Sequence, residues 1–285
     1  MRRDRRLFCG ALLAGAFGAC ASLEAPAPWE SRLQGDTLAL LGEVHDNAEA
    51  HRRRTTTLKR ALDAGWRPAL VMEQFDADRQ ADIERSRRER PHDAAHLVAQ
   101  ASPARSGWDW ALYRPVIELA LAFGLPILAG NLPRGDAMRL VREPFASVLG
   151  AARSTQLGLD APLPPDWQAA QEREIDAGHC GTLPRTLWPG MVRAQAARDA
   201  QMAHALRTHA SRGAVLLAGN GHVRRDLGVP RWLSMIAGER VLSVGYVEDG
   251  TSPIGSQQYD AVVVMAPATR GDPCASLRQR SRSQR

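Results

Sequence analysis

Residues 37–46 read TLALLGEVHD and residues 214–226 read AVLLAGNGHVRRD; in each, a short unbroken apolar run stops at a glycine, and a histidine follows three positions later. Unbroken apolarity is what a strand buried on both faces of a parallel sheet needs, whereas a half-exposed strand alternates. Similar runs recur at Ala69 to Met72 (ALVM), Pro126 to Ala129 (PILA), Val241 to Val244 (VLSV) and Ala261 to Met265 (AVVVM). Between them, Ala48 to Ala64, Ala77 to Arg88, Leu112 to Phe123 and Met191 to His209 carry helical spacing. The alternation predicts an α/β fold, a mostly parallel β-sheet flanked by helices. From Gly135 to Pro189 no strand pattern appears, and Pro162, Pro164 and Pro165 interrupt the helical spacing. A smaller helical subdomain inserted over about 135–190 is therefore expected.

The chain has 285 residues, 44% of them hydrophobic, and a formal charge of +6. That composition builds a packed core and excludes a disordered tail protein, a small disulfide scaffold and a coiled coil. The charge lies at the two ends. Met1 to Ala19 carries Arg2, Arg3, Arg5 and Arg6 against Asp4, and residues 270–285 carry five arginines against Asp272. What lies between is close to neutral, so no basic face is available to track a phosphate backbone, and nucleic acid is not an expected partner.

Residues 1–20 have the form of a signal peptide: an arginine-rich start, then an apolar run from Leu7 to Ala19 that is too short to span a bilayer. Phe17-Gly18-Ala19-Cys20 resembles a bacterial lipobox with Cys20 as the lipidated residue, and Arg5-Arg6-Leu7-Phe8 resembles a twin-arginine export signal. The expected organisation is a signal peptide over 1–20, a tether over 21–35, an α/β domain over 36–268 and a disordered basic tail over 269–285. The expected location is the cell envelope, as a lipid-anchored protein facing the periplasm or the outer membrane. Cys180 and Cys274 are then able to pair in an oxidising compartment.

Polar residues follow four of the apolar runs: Gly42, Glu43, His45 and Asp46; Glu73 and Gln74; Asn131 and Arg134; and Gly219, Asn220, His222 and Arg224. In open parallel sheets ligands bind beyond the carboxyl ends of the strands, so these groups are expected to converge on one crevice. The paired Gly-x-x-His segments, Gly42 to His45 and Gly219 to His222, bring backbone close and aim two imidazoles inward, with Glu43 and Glu73 nearby. Two histidines with one or two carboxylates suit a divalent metal or a porphyrin iron. Trp108 and Trp110 could stack on a porphyrin face. His92 and His96 lie one turn apart without the glutamate of a zinc-protease motif and read as a solvated helix face. No serine-hydrolase elbow and no phosphate-binding P-loop is present.

The segments LLGEVHDNAEAHRRR (residues 40–54), MEQF (72–75), WDWALYRPVIELA (108–120), AGNLPR (129–134), AGHCGTLP (177–184), RAQAARDAQMA (193–203) and LLAGNGHVRRDLGVPRWL (216–233) resemble the ChaN-like haem-binding uptake lipoproteins of the Tiki superfamily. The resemblance implies a large α/β unit with a smaller helical one, a role in haem or iron uptake, and haem held as a cofacial pair between two subunits. A homodimer when loaded and an outer-membrane haem receptor are the implied partners. Gly42, His45, Glu73, Gly219 and His222 match the superfamily site motifs. His45, His222, Tyr113 and His179 all stand as haem-ligand candidates, and on this reading no residue is catalytic. Related Tiki branches include metal-dependent peptidases. The alternative is thus a hydrolase in which His45, Glu73 and His222 hold Zn or Mn and Glu43 acts as general base.

Overall fold

All six apolar runs are strands of one parallel sheet in the order β3-β2-β4-β1-β5-β6. They are β1 (Leu38–Leu41), β2 (Ala69–Asp76), β3 (Ile127–Asn131), β4 (Ala214–Leu217), β5 (Val241–Glu248) and β6 (Ala261–Met265). The computed structural model describes residues 25–102, 107–233, 240–250 and 257–272, with Cys274, Ala275 and Gln279. The expected signal peptide and Cys20 lie outside the described residues. Every residue of β1 and β4, at the centre, is buried, while Val262 and Val264 of the edge strand β6 are exposed.

Alternate residues of the central strands feed two separate cores. Ala39, Leu41, Leu70, Met72, Val215 and Leu217 face α1 (Ala48–Asp63), α2 (Gln80–Glu89), α3 (Ala94–Ala101) and α4 (Trp110–Ala122). Leu38, Leu40, Val71, Ala214 and Leu216 face the other way. Between β3 and β4 come α5 (Arg134–Leu140), α6 (Phe145–Leu149), α7 (Ala151–Leu157), α8 (Pro165–Gly178) and α9 (Trp188–Arg207). The carboxyl half of α9 packs Met202, Ala203 and Leu206 on the sheet; its amino half joins Leu140, Leu157, Trp167 and Ile175 in a third core. The region without strands is therefore a helical layer over the carboxyl ends of the sheet, built on a helix that also belongs to the main unit.

The chain moves from β1 to β2 through α1 on one face, and from β4 toward β5 through the short α10 (Asn220–Val223) on the other. Those opposite departures open a crevice at the carboxyl ends of neighbouring strands β1 and β4. β2 is longer than its apolar run. Met72 pairs with Ala129 and Asp76 with Asn131, so β2 advances four residues while β3 advances two. The resulting bulge carries Glu73 and Gln74, and bulges beside sites commonly re-aim a side chain in this way.

Two expected boundaries need correction. The stretch assigned to a tether is packed from Pro28 on: Glu30 pairs with Arg60 of α1 at 2.8 Å, and Leu33 is buried. At the other end, the tail expected to be disordered from 269 is held at its start, because Arg270 forks onto Asp46 and Glu248 at 2.7 and 2.6 Å. Cys274 then forms a disulfide with Cys180. Both corrections arise from charge pairs that join residues far apart in the chain.

Arg270 and hydrogen bonds from Ala268 and Asn47 hold the Glu248 carboxyl down at about 2, against the modest upward effect of burial. Glu43, discussed below, also lies at about 2. A carboxylate depressed on folding stabilises the protein fully above its unfolded value and loses that contribution as pH falls through the folded value. We expect stability in urea to hold from neutral pH down to about 4.5 and to fall steeply between there and about 2. A flat acid profile would show that neither pair forms.

Candidate functional site

Glu43 leaves β1 pointing into the protein and is fully buried. Its Oε1 accepts from the Tyr113 hydroxyl at 2.5 Å, from His45 Nδ1 at 2.8 Å and from Gln74 Nε2 at 3.3 Å. Its Oε2 pairs with the buried Arg54 guanidinium from α1. Burial alone would raise the carboxyl, but Arg54, His45 and His51 together bring it down to about 2. Arg54 also donates to His51 Nδ1 at 3.3 Å, while His51 Nε2 donates to the His45 carbonyl at 3.0 Å. An imidazole that accepts at one nitrogen and donates at the other is neutral, and burial lowers His51 accordingly.

This network fixes one ring and leaves one nitrogen open. His45 Nδ1 is anchored on Glu43, its side chain is 48% exposed, and the ring sits edge-on to Trp108 at 4.9 Å. The second histidine is held in the same manner from another element. His222 Nδ1 donates to Asp199 Oδ1 of α9 at 2.6 Å, and Nε2 faces Glu73 Oε1 at 3.5 Å. Burial opposes charge on this ring, but Glu73 and Asp199 outweigh it and raise His222 to about 9. It is therefore an imidazolium at neutral pH. Glu73 Oε2 accepts the Gly219 backbone N–H at 2.7 Å.

Both glycines are required by close approach. A Cβ on Gly219 would lie 3.0 Å from His45 Nε2, and one on Gly42 would lie 2.2 Å from Asn220 Oδ1. Asn220 cannot yield, because its amide donates to the Tyr246 carbonyl at 2.6 Å and accepts from the Tyr246 N–H at 3.0 Å, clamping α10 to β5. Gly42→Ala should therefore cost about 1–3 kcal/mol through overpacking and displace the helix bearing His222. An unchanged urea midpoint would contradict the clamp.

Glu73, His222, Asp199 and Trp108 border a cavity of about 640 Å³ that runs under the helical layer. Val141, Ile175, Met191 and Leu227 supply apolar wall, Arg198 and Arg224 supply cations, and His179 stands on the wall at the end of α8. Arg224 is committed to Glu174 and Asp226. Arg198 donates to Asn131 Oδ1 at 2.7 Å and pairs with no carboxylate among the described residues.

The crevice thus gathers Gly42, Glu43, His45, Glu73, Gly219 and His222 as expected, with His179 across the cavity. Tyr113 is a correction. It is fully buried behind Glu43, its hydroxyl is spent on that carboxylate, and burial together with the Glu43 charge pushes it far above the usual phenol range. It cannot reach a ligand in the crevice without breaking that bond. Trp110 likewise stacks on Phe75 at 5.0 Å, so of the two tryptophans only Trp108 borders the cavity. The metal reading receives no support from geometry, since no three His, Cys, Asp or Glu among the described residues form a set that could hold a metal ion. Glu43, bound to Arg54 and lowered to about 2, is a poor general base.

His51, Arg54 and Asp199 are the site residues that sequence reasoning missed or misread. The first two sit in AHRRRTTTL, which looks solvated, yet positions 51, 54, 58, 61 and 62 form one helical stripe ending in Leu58, Ala61 and Leu62. That spacing was the available signal. Asp199 follows Arg198 in the chain with nothing to mark which group it serves; adjacent helical residues point apart, and the two serve His222 and Asn131 separately.

A sequence profile described as "Haem-binding uptake, Tiki superfamily, ChaN" matches residues 30–233. The chain belongs to this family. Among solved structures it is similar to ChaN of Campylobacter jejuni, described there in cofacial haem binding, with 18% identity, a TM-score of 0.65, and coverage of 81% of this chain and 88% of that one. At that identity the likeness is one of fold. An erythromycin esterase in its open conformation follows at 12% identity and TM-score 0.46, covering 78% and 72%. A Bacillus cereus protein has 11% identity and TM-score 0.43, covering 78% and 68%. No curated protein sequence matches significantly. For this ChaN-family chain, the family establishes a haem-binding, uptake-related role, and the large α/β unit with its helical layer is the expected fold.

Proposed function

We propose that this chain is a lipid-anchored haem carrier of the bacterial envelope that holds haem in the cavity under the helical layer, with His179 Nε2 on the iron. One observation carries the choice of ligand. His179 Nδ1 lies 2.7 Å from the Ile175 carbonyl, which can only accept, so Nδ1 carries a proton and Nε2 is the nitrogen left to take the iron. Histidines that bind iron are commonly oriented by such a backbone acceptor. The two crevice histidines are less suited: His222 is cationic with Nε2 turned to Glu73, and His45 lies beyond Trp108.

The cavity suits the ligand. About 640 Å³ falls within the roughly 300–1,000 Å³ of typical ligand sites. Its walls are apolar for a porphyrin, and Arg198 is a cation for a propionate. Met138, 58% exposed on the cavity rim, is apolar surface that a second subunit would cover, in keeping with a homodimer holding two haems face to face. Export to the envelope, by the twin-arginine route with Cys20 lipidated, rests on the motifs at 5–8 and 17–20. The Cys180–Cys274 disulfide is in keeping with an oxidising compartment. An outer-membrane haem receptor is the partner such a carrier requires.

The test is a haemin titration followed by Soret absorbance and sedimentation. We expect a saturable Soret shift with dimer formation, binding at least about tenfold weaker in His179→Ala, a loss of about 1.4 kcal/mol or more, and near wild-type binding in Tyr113→Phe. Equal affinities of His179→Ala and wild type would remove His179 as the ligand.

A further inference from the structure

We propose that the amino end of the sheet is a docking face for an anionic phospholipid bilayer, with Arg67 and Arg212 as its headgroup contacts. The tether it needs is that of the lipid-anchored reading, on which this inference rests; what is new is which end of the molecule meets the membrane. Arg67 stands two residues before β2 and Arg212 two residues before β4, neighbouring strands of one parallel sheet, so both lie at the end opposite the crevice. Both are exposed. Arg212 Nε donates to the Arg67 carbonyl at 3.1 Å. Arg67 Nη1 donates to the Leu62 and Trp66 carbonyls at 2.6 and 2.8 Å, with the guanidinium 5.0 Å from the Phe123 ring. Neither arginine pairs with a carboxylate among the described residues, whereas Arg240 and Arg60 at the same end pair with Asp36 and Glu30 at 3.0 and 2.8 Å. Together with Gly35, Gly65 and Trp66 the two border a recess of about 480 Å³. Guanidiniums fixed on one recess without a counter-charge repel each other, and the anion that relieves them has to come from outside the chain.

The occupant follows from where the chain enters. Pro28–Arg32 leads through the buried Leu33 into β1. Glu30 is tied to Arg60 in the last turn of α1, a helix that returns from the carboxyl to the amino end of the sheet. The packed chain therefore begins at the same end as the two arginines. Between Cys20 and Pro28 lie seven residues, which reach at most about 29 Å even when extended. A lipid on Cys20 thus keeps this end close to the headgroups. Each arginine near an anionic membrane surface strengthens binding about fivefold, and a guanidinium fork matches phosphate oxygens bidentately. Docked in this way, the molecule holds its crevice and cavity on the side turned away from the bilayer, open to a partner that arrives through water.

The experiment is hydrogen exchange of the full chain, purified from the membranes of an expressing bacterium, in vesicles of phosphatidylcholine with phosphatidylglycerol and in vesicles of phosphatidylcholine alone. Expected is slower exchange of residues 64–67 and 210–213 in the anionic vesicles only, reversed by high salt, with residues 42–45 and 219–222 unaffected. Arg67→Ala with Arg212→Ala should lower the docking equilibrium read from that slowing by about fivefold for each cation removed. Because Arg67 also packs on Phe123, Arg212→Gln, at an exposed position, gives the test should the double variant not fold. Equal exchange in the two kinds of vesicle overturns the proposal, and so does slowing at residues 42–45 in its place. The same slowing produced by inorganic phosphate without vesicles would also overturn it, by making the recess a small-anion site. The mass of the amino-terminal peptide separates the two readings. No acyl group on Cys20, with slowing in anionic vesicles retained, counts against the lipid anchor alone; an acylated chain without slowing counts against the docking face alone.

Discussion

Arg54→Leu is expected to destabilise the protein by about 3–5 kcal/mol, the cost of removing one partner from a buried ion pair. The Glu43 carboxylate has no exposure, and Arg54 is the only guanidinium paired with it among the described residues. Without Arg54, burial raises the carboxyl instead of being overridden, and Glu43 titrates nearer neutrality. Three further contacts feel the change, because Arg54 also donates to His51, His51 donates to the His45 carbonyl, and His45 is anchored on Glu43. The loss should therefore show in urea unfolding and deepen as pH rises through the new Glu43 value, since the ionised form is the one left uncompensated. The double variant Glu43→Gln with Arg54→Leu should recover much of the stability, because a neutral amide no longer demands a counter-charge. A single-variant cost below about 1 kcal/mol would mean that solvent reaches the pair.

That pair also marks where reading the chain succeeds and where it stops. Six strands were visible because strands covered on both faces must be apolar throughout, and the residues after them could be assigned to one crevice because a parallel sheet brings its carboxyl ends together. The histidines, Glu43 and Glu73 followed from that rule. The carboxylates' partners did not. Arg54 lies in a run of three arginines, and only the burial of α1 against the sheet decides which of them faces inward. Of helix α3 only the face bearing His96 is legible in the sequence, because an alanine-rich eight-residue segment, AAHLVAQA, has too little contrast between its faces to set its bounds, although Asp93 caps it by accepting from His96 N–H at 2.8 Å. Tyr113 is a ligand candidate in the sequence because tyrosine can bind haem iron; the sequence carries no sign that α4 turns it behind Glu43.

Removing the disulfide, by Cys180→Ser with Cys274→Ser, should cost about 2–4 kcal/mol. The bridge joins residues 94 positions apart, a span for which loop-closure entropy alone amounts to about 4.7 kcal/mol. The observed cost should fall short of that figure, because Cys274 lies outside the sheet, beyond β6, and the segment it secures can detach without unfolding the strands. For a protein of this size the melting temperature should drop by roughly 4–8 °C, and dithiothreitol should reproduce the drop in wild type but not in the double variant. Arg270 separates two outcomes. Its ion pairs to Asp46 and Glu248 hold the strap independently of the disulfide, so Arg270→Ala combined with the double variant should cost more than the two changes added separately. Strict additivity would mean that the strap is anchored at two unrelated points. Equal melting temperatures with and without reductant would mean that Cys180 and Cys274 are not joined in solution, and the support the disulfide lends to an envelope location would go with them.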